Sequence, residues 1–101
     1  MPSRAKRTDA NQSDIIKALK KVGASVVDLS EVGHGCPDLA IGFRKKNYFF
    51  EVKTEKGKLN NLQGLWHKYW NGQVAVVNSP ENAVDTLLLL SAVDHSWKSD
   101  I

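Results

Sequence analysis

The hydrophobic positions of this chain follow a helical period at its start and shorter, strand-like runs after it. The first set of apolar residues shares one face of a helix: Ile15, Ile16, Leu19 and Val22. This spacing predicts a helix over residues 9–22, with Asp9 as its N-cap and Gly23 as its end. Residues 1–8 have no such period, and they predict a flexible basic arm.

Four short apolar runs predict strands. They cover residues 25–29, 39–43, 48–54 and 73–78. The basic segment 44–47 joins the second and third runs as a hairpin turn. A second amphipathic helix is predicted over residues 60–71, and Ser79 followed by Pro80 starts a last helix that runs to about residue 90.

The elements therefore follow the order α-β-β-β-α-β-α. A helix between the third and fourth strands allows these two strands to run parallel through a right-handed crossover. The expected fold is an α/β domain over residues 9–90, in which helices flank a mixed four-stranded sheet. Residues 91–101 carry little pattern and predict a C-terminal tail.

The composition is that of a single globular domain: 101 residues, of which 42% are hydrophobic and 25% charged. No apolar run approaches the ~20 residues that span a bilayer. The basic start has no apolar segment behind it, so it does not resemble a secretory signal. One cysteine, Cys36, excludes an internal disulfide framework and a multi-cysteine zinc site. The expected compartment is the cytoplasm of a bacterium or of an infected host cell.

The chemistry of the chain is concentrated on the predicted hairpin. Asp38 opens its first strand, and Glu51 and Lys53 lie near the end of the second. Side chains on one face of a strand recur every second residue, so Glu51 and Lys53 point the same way, and pairing brings Asp38 opposite a position close to Glu51. Two carboxylates form a hard oxygen site for Mg²⁺ or Mn²⁺, and an ammonium beside them stabilises anionic charge. This combination suits the hydrolysis of a phosphodiester.

A structural interpretation of the same residues is also available, because an alternating Glu-Val-Lys on a half-exposed strand is often only a solvated face. The neighbouring residues argue against it here. Tyr48, Phe49 and Phe50 make the second strand deeply apolar. Burying an acid and a lysine on such a strand costs free energy unless the charges are paired or bind an ion.

The formal net charge of +3 is compatible with a nucleic-acid partner, although the excess is small. Basic residues cluster on both sides of the acidic positions in the sequence, where they also serve solubility. A histidine lies in the glycine loop before Asp38, and it is either a phosphate contact or a solvated loop residue. The candidate DNA-binding residues are Lys45, Lys46, Lys56, Lys58 and His34.

The ordered set Pro37-Asp38, then Glu51-Val52-Lys53, resembles the PD-(D/E)XK nuclease superfamily. The Gly35-x-Pro37-Asp38 context, with Gln63 in the following helix, is similar to its VRR-NUC branch, whose stand-alone members are often encoded by phages. The resemblance implies a restriction-endonuclease-like core and a metal-dependent DNA endonuclease. It also implies these roles: Asp38, Glu51 and the carbonyl of Val52 hold Mg²⁺ or Mn²⁺, Lys53 orients the attacking water and stabilises the phosphate, and Gln63 holds the geometry.

Many relatives carry a further acid on the first helix, and this chain has no glutamate at the expected place. The first helix offers four polar residues there, and the sequence leaves open which of them contributes to the site: Asp9, Asn11, Gln12 and Asp14.

The resemblance further suggests a homodimer acting on branched DNA such as Holliday junctions, since twofold symmetry would match the substrate. Trp66 and Trp70 lie one helical turn apart, and they are either part of the dimer contact or core residues. The competing function is a branched-DNA-binding module without catalysis. A hydrolase of another phosphorylated substrate is a weaker alternative, and no Gly-rich phosphate loop supports a nucleoside triphosphatase.

Overall fold

A computed structural model describes residues 3–93, with side chains from residue 10 onwards, and it confirms the predicted order of elements. No helix in this range is both long and apolar enough to cross a membrane. The elements are α1 (Ser3–Lys21), β1 (Ser25–Asp28), β2 (Leu39–Phe43), β3 (Lys46–Val52), α2 (Asn61–Tyr69), β4 (Val74–Val77) and α3 (Pro80–Ala92).

The four strands form one mixed sheet in the order β1-β2-β3-β4. The first three strands are antiparallel to their neighbours, and β4 runs parallel to β3. In the central hairpin Leu39 lies opposite Phe50. Because α2 lies between β3 and β4 in the chain, it makes the connection that a parallel pair needs. The predicted mixed four-stranded sheet with flanking helices is confirmed.

The two faces of the sheet are covered unequally. One face packs with α1 and α3 into a core whose main members are Ile15, Leu19, Leu39, Ile41, Tyr48, Phe50, Val77, Ala83 and Leu87. On the opposite face, the ring of Phe49 meets Trp66 and Trp70 of α2 at centroid distances of 5.4 and 5.1 Å. No residue of α2 is fully buried. This thinly covered face carries Glu51 and Lys53, since side chains alternate along β3.

The start of the first helix differs from the prediction. The helix begins at Ser3, so Asp9 lies inside it and is not its cap, and the arm predicted over residues 1–8 is wrong for residues 3–8. The physical reason is propensity: alanine, lysine and arginine in this segment all favour helix, and no glycine or proline interrupts them. At the other end, α3 extends to Ala92, while most of the predicted tail lies outside the described residues.

The hairpin turn is also tighter than predicted. Phe43 pairs with Lys46, so only Arg44 and Lys45 connect the strands, with φ of 55° and 68°. Two-residue hairpin turns with positive φ at both positions are of type I′ and usually contain Asn-Gly, so this Arg-Lys turn has no sequence signature. Contacts of Arg44 with neighbouring residues offset the cost of the positive φ angles in this turn. The Arg44 Nη1 donates to the Ser91 hydroxyl at 3.1 Å, and its guanidinium lies 4.7 Å from the Phe43 ring centroid.

Candidate active site

The hairpin brings the two predicted acids together at one end of the sheet. Leu39 pairs with Phe50, so the same register continued by one residue sets Asp38 opposite Glu51. The side chain of Asp38 is fixed there, because its Oδ2 accepts a hydrogen bond from the backbone N–H of Val52 at 2.9 Å. The prediction that Asp38 lies opposite a position close to Glu51 is confirmed, and the register makes that position Glu51 itself. It follows from a short turn and from the pleat of two paired strands.

The backbone carbonyl of Val52 lies beside these carboxylates, and the register of the strands leaves it without a hydrogen-bond donor from β2. The N–H of Lys53 donates to Val77 in the parallel pair at 3.0 Å, so Val52, one residue earlier, directs its N–H and C=O towards β2. Continuing the antiparallel register sets Pro37 opposite Val52. Proline has no N–H, so the carbonyl of Val52 receives no ladder hydrogen bond from that position. It is an oxygen available to a cation next to Asp38.

Glu51 is the most unusual group of the site, since it is only 2% exposed. Its Oε2 accepts a hydrogen bond from Gln63 Nε2 at 3.1 Å and lies 3.9 Å from Lys53 Nζ. Its Oε1 is buried and receives no hydrogen bond from the described residues. Burial first, then the charge of Asp38 and a hydrogen bond with it, raise the pKa of Glu51 to about 8, against the opposing effect of Lys53. The buried carboxyl therefore holds its proton at neutral pH.

This donor set fits a hard divalent cation. Two carboxylates and a carbonyl supply the oxygen ligands that Mg²⁺ and Mn²⁺ prefer, and the unpartnered Oε1 of Glu51 is an oxygen that a cation would satisfy. Among the side chains that the structure describes, no three of His, Cys, Asp or Glu cluster as metal ligands. A cation held here would thus rest on Asp38, Glu51, the carbonyl of Val52 and solvent.

Gln63 takes its place because the start of α2 is a complete capping box. The Asn60 Oδ1 accepts from the N–H of Gln63 at 2.9 Å, and the N–H of Asn60 donates to Gln63 Oε1 at 2.9 Å. With Oε1 occupied, the amide nitrogen of Gln63 faces Glu51. Asn60 was not among the predicted site residues, although an asparagine three residues before a glutamine is a capping-box pattern that the sequence displays.

The contribution of Gly35 to the site becomes visible only in the structure. Its φ is +82°, and a Cβ atom at this position would overlap the backbone carbonyl of Leu62. The loop before Asp38 therefore packs directly against the first turn of α2. This contact holds the start of α2, which carries Gln63, against the loop that leads into Asp38, and it requires a glycine at position 35, two residues before Pro37.

The structure separates the four candidates on the first helix. Asn11 lines a cavity of about 400 Å³ together with Val52, Lys53 and Lys58, and its Nδ2 donates to the Asn78 carbonyl at 3.2 Å. Gln12 is buried elsewhere, where it donates to Asp28 Oδ2 at 3.2 Å. Asp14 is exposed. The side chain of Asp9 lies outside the described ones. Asn11 is therefore the candidate beside the site.

The predicted basic residues fall into two groups. Lys58 lines the same cavity as Lys53, and the exposed Lys56 lies between them in the chain. Lys45 and Lys46 lie at the turn of the hairpin, at the opposite end of β3 from Glu51, a separation of roughly 17 to 20 Å along the strand at ~3.3 Å per residue. Their closeness to the acids in the sequence does not bring them near the acids in space.

His34 is exposed, with φ of 59°, in the loop before Asp38. Trp66 and Trp70 stack on each other at 4.4 Å and both contact Phe49. Trp66 is half-buried and Trp70 is 44% exposed, so neither is a buried core residue, and their part in a dimer contact stays a prediction.

Comparison with solved structures finds a chain described as a VRR_NUC domain. The two share 26% sequence identity with a TM-score of 0.69, and the match covers 80% of this chain and 94% of that chain. No protein-family model matches the sequence, and no curated protein is similar to it. The mixed sheet, the paired acids at its end and this likeness lead to one conclusion: the chain has a restriction-endonuclease-like fold and is similar to a VRR_NUC nuclease domain, which supports membership of that family.

Proposed function

We propose that this protein is an Mg²⁺- or Mn²⁺-dependent endodeoxyribonuclease that hydrolyses phosphodiester bonds in branched DNA. The observation that carries the proposal is the buried carboxyl of Glu51, which has one oxygen without a hydrogen-bond donor and lies beside the carboxyl of Asp38. Burying two acids together is costly when nothing positive lies between them. A divalent cation removes that cost.

Each residue of the site has its own role in the proposed reaction. Asp38, Glu51 and the carbonyl of Val52 hold the cation, which when bound polarises the phosphate and lowers the pKa of water. Lys53 lies 3.9 Å from Glu51, so its ammonium stands at the edge of the site. It donates hydrogen bonds to the attacking water and to a phosphate oxygen, and it stabilises the negative charge that grows on that oxygen. Gln63 keeps Glu51 in the orientation that faces the cation.

The surroundings of the site support a DNA backbone as the substrate. The cavity beside Lys53 is lined by Lys58 and by the amides of Asn11 and Asn78. Ammonium groups and amide N–H groups are the usual contacts to phosphate oxygens, and they carry no base specificity. The cavity, of about 400 Å³, is bordered by Val52 and Lys53 of the site and by Glu55, and its volume suits a nucleotide next to the cleaved bond. Recognition by backbone contacts suits an enzyme that reads the shape of its DNA.

Homodimer formation is part of the proposal, and an exposed apolar stripe on α2 supports it. Leu62, Leu65 and Tyr69 follow helical spacing and are 58%, 53% and 71% exposed. A second copy packed against this stripe would cover it and bring two active sites into one particle, as paired cuts in a four-way junction require.

The dimer has its own test. Sedimentation velocity should show a dimer for the wild type and a monomer for Leu65→Glu. Leu89→Glu is the matched control, because Leu89 is a leucine of α3 that is 64% exposed. A dimer that survives Leu65→Glu would reject this surface.

Cleavage of defined DNA tests the activity. Four-way junction, 5′ flap, splayed-arm, duplex and single-stranded DNA would be incubated with the protein in Mg²⁺, Mn²⁺ or EDTA. We expect paired cuts in the junction that need the cation and disappear in Asp38→Ala and in Lys53→Met. Cutting of flaps alone would keep the nuclease and reject junctions as the substrate. Tight binding without cleavage in either metal would favour the non-catalytic binding module.

A further inference from the structure

We infer that Asn60, the N-cap of α2, is a positioning residue for the metal-binding carboxyl of Glu51 and acts through the amide of Gln63. The inference rests on the proposed function, because it assigns Asn60 a part in the reaction. The observations that support it do not depend on that function. Three consecutive hydrogen bonds run from the cap of α2 to the buried carboxyl of Glu51.

The chain of hydrogen bonds leaves the Gln63 amide one orientation. The N–H of Asn60 can donate only to an oxygen, so Gln63 must present Oε1 to it at 2.9 Å. The amide nitrogen then faces the opposite way, towards Glu51 Oε2 at 3.1 Å. The reversed amide would set N–H against N–H at the cap, and with a cation bound it would set its oxygen against the ionised carboxylate of Glu51. Asn60 thereby determines that Glu51 receives a donor.

Gln63 is important to Glu51 because, apart from the neighbouring carboxyl of Asp38, this group has few other partners. Lys53 Nζ is 3.9 Å away, which is beyond a hydrogen bond. Oε1 receives no donor from the described residues. The Gln63 amide is therefore the N–H group that fixes the rotation of this carboxyl and decides which oxygen faces the cation.

The start of α2 depends on its cap more than a buried helix would. The helix has nine residues, none of them fully buried, so packing alone does not hold its first turn. The cap and the contact with Gly35 hold it instead. Loss of the cap frays the turn that carries Gln63, and the hydrogen bond to Glu51 is lost with it.

Two substitutions at Asn60 remove these hydrogen bonds in steps, and a third preserves them. Asn60→Asp keeps the side-chain acceptor and the backbone donor. Asn60→Ala removes the acceptor for the N–H of Gln63. Asn60→Pro removes the acceptor and also the N–H that holds Oε1, and the observed φ of −79° lies within the range that proline adopts. Ser79→Ala is the matched control, since Ser79 caps α3 by accepting from Asn82 N–H at 3.0 Å.

Kinetics separate positioning from simple loss of stability. We expect kcat to fall about tenfold in Asn60→Pro, the size of a lost hydrogen bond to a charged group, with KM within about twofold of the wild type. The kcat of Asn60→Ala should lie between those of Asn60→Pro and the wild type, and Asn60→Asp should have the wild-type kcat. Ser79→Ala should lower the melting temperature but leave kcat unchanged. The inference would be overturned if Asn60→Pro kept the wild-type kcat. It would also be overturned if kcat fell as far in Ser79→Ala as in Asn60→Pro.

A second readout needs no activity. In ¹H–¹⁵N spectra of the metal-free protein, the Gln63 side-chain amide, assigned by its absence in Gln63→Leu, should lie apart from solvent-exposed amides. It should move to their position in Asn60→Pro and stay in Ser79→Ala. An unchanged Gln63 amide in a folded Asn60→Pro protein would overturn the inference. A wild type without nuclease activity would reject the proposed function, while this spectrum would still decide whether Asn60 positions Gln63.

Discussion

Replacing Glu51 by glutamine should make the protein more stable while abolishing its activity. Glu51 is 2% exposed and lies beside Asp38, so its ionised form is unfavourable in the folded protein. Glutamine has nearly the same shape, keeps an oxygen for the Gln63 amide and never ionises. The variant thus removes a cost that the wild type bears in the absence of a cation.

The size of the effect follows from the raised pKa of Glu51. The folded protein keeps the proton up to about pH 8, whereas the unfolded chain releases it near pH 4.5. Between these values the unfolded chain binds fewer protons, so the free energy of unfolding falls as the pH rises. The loss reaches about 3 kcal/mol at pH 7 and about 5 kcal/mol above pH 8. Glu51→Gln should recover most of it, and should differ little from the wild type near pH 4.5.

Urea unfolding at closely spaced pH values between 4.5 and 9, in EDTA, would measure the difference between the two proteins. Contributions from other titrating groups cancel in that difference. Glu31→Gln is the control, since Glu31 is exposed and its curve should run parallel to the wild type. Saturating Mg²⁺ should stabilise the wild type most at high pH and leave Glu51→Gln unchanged. Parallel wild-type and Glu51→Gln curves would refute the reasoning about this carboxyl.

Three further predictions concern the frame of the site. Gly35→Ala should cost at least about 2 kcal/mol of unfolding free energy in thermal melts, because its Cβ overlaps the Leu62 carbonyl; Gly33→Ala, at a similar φ of +77° with open space around it, should cost less. Equal losses would mean that backbone conformation alone matters. Lys45→Gly should raise the unfolding free energy by about 0.5–1 kcal/mol, since Lys45 has φ of 68°; a loss would show that its side chain stabilises the turn. Burial lowers the pKa of His67, whose Nε2 is buried without a partner among the described residues, so this residue should reduce the unfolding free energy as the pH falls below about 6.5, against the opposite contribution of Glu51. His67→Leu should remove that loss, and an unchanged acid limb in the melts would contradict it.

The order of elements and the pairing of the two acids could be predicted from the sequence because both depend on local periods. The run at residues 39–43 alternates as a strand, and its bounds match β2. Once two strands are joined by a short turn, their register follows, and Asp38 must meet a position close to Glu51. The first helix was predicted too short, since its early residues show no apolar period and propensity alone extends the helix to Ser3.

The sequence by itself therefore determined the strands, the hairpin and the identity of the acids, lysine and glutamine. Only the tertiary structure decided how buried Glu51 is, that Asn11 rather than Gln12 borders the site, and that Lys45 lies at the far end of the hairpin. Distances between elements depend on how helices pack against the sheet, and local periods carry no information about that packing. The pKa of Glu51 depends on the same packing, because desolvation and neighbouring charges act through space and not along the chain.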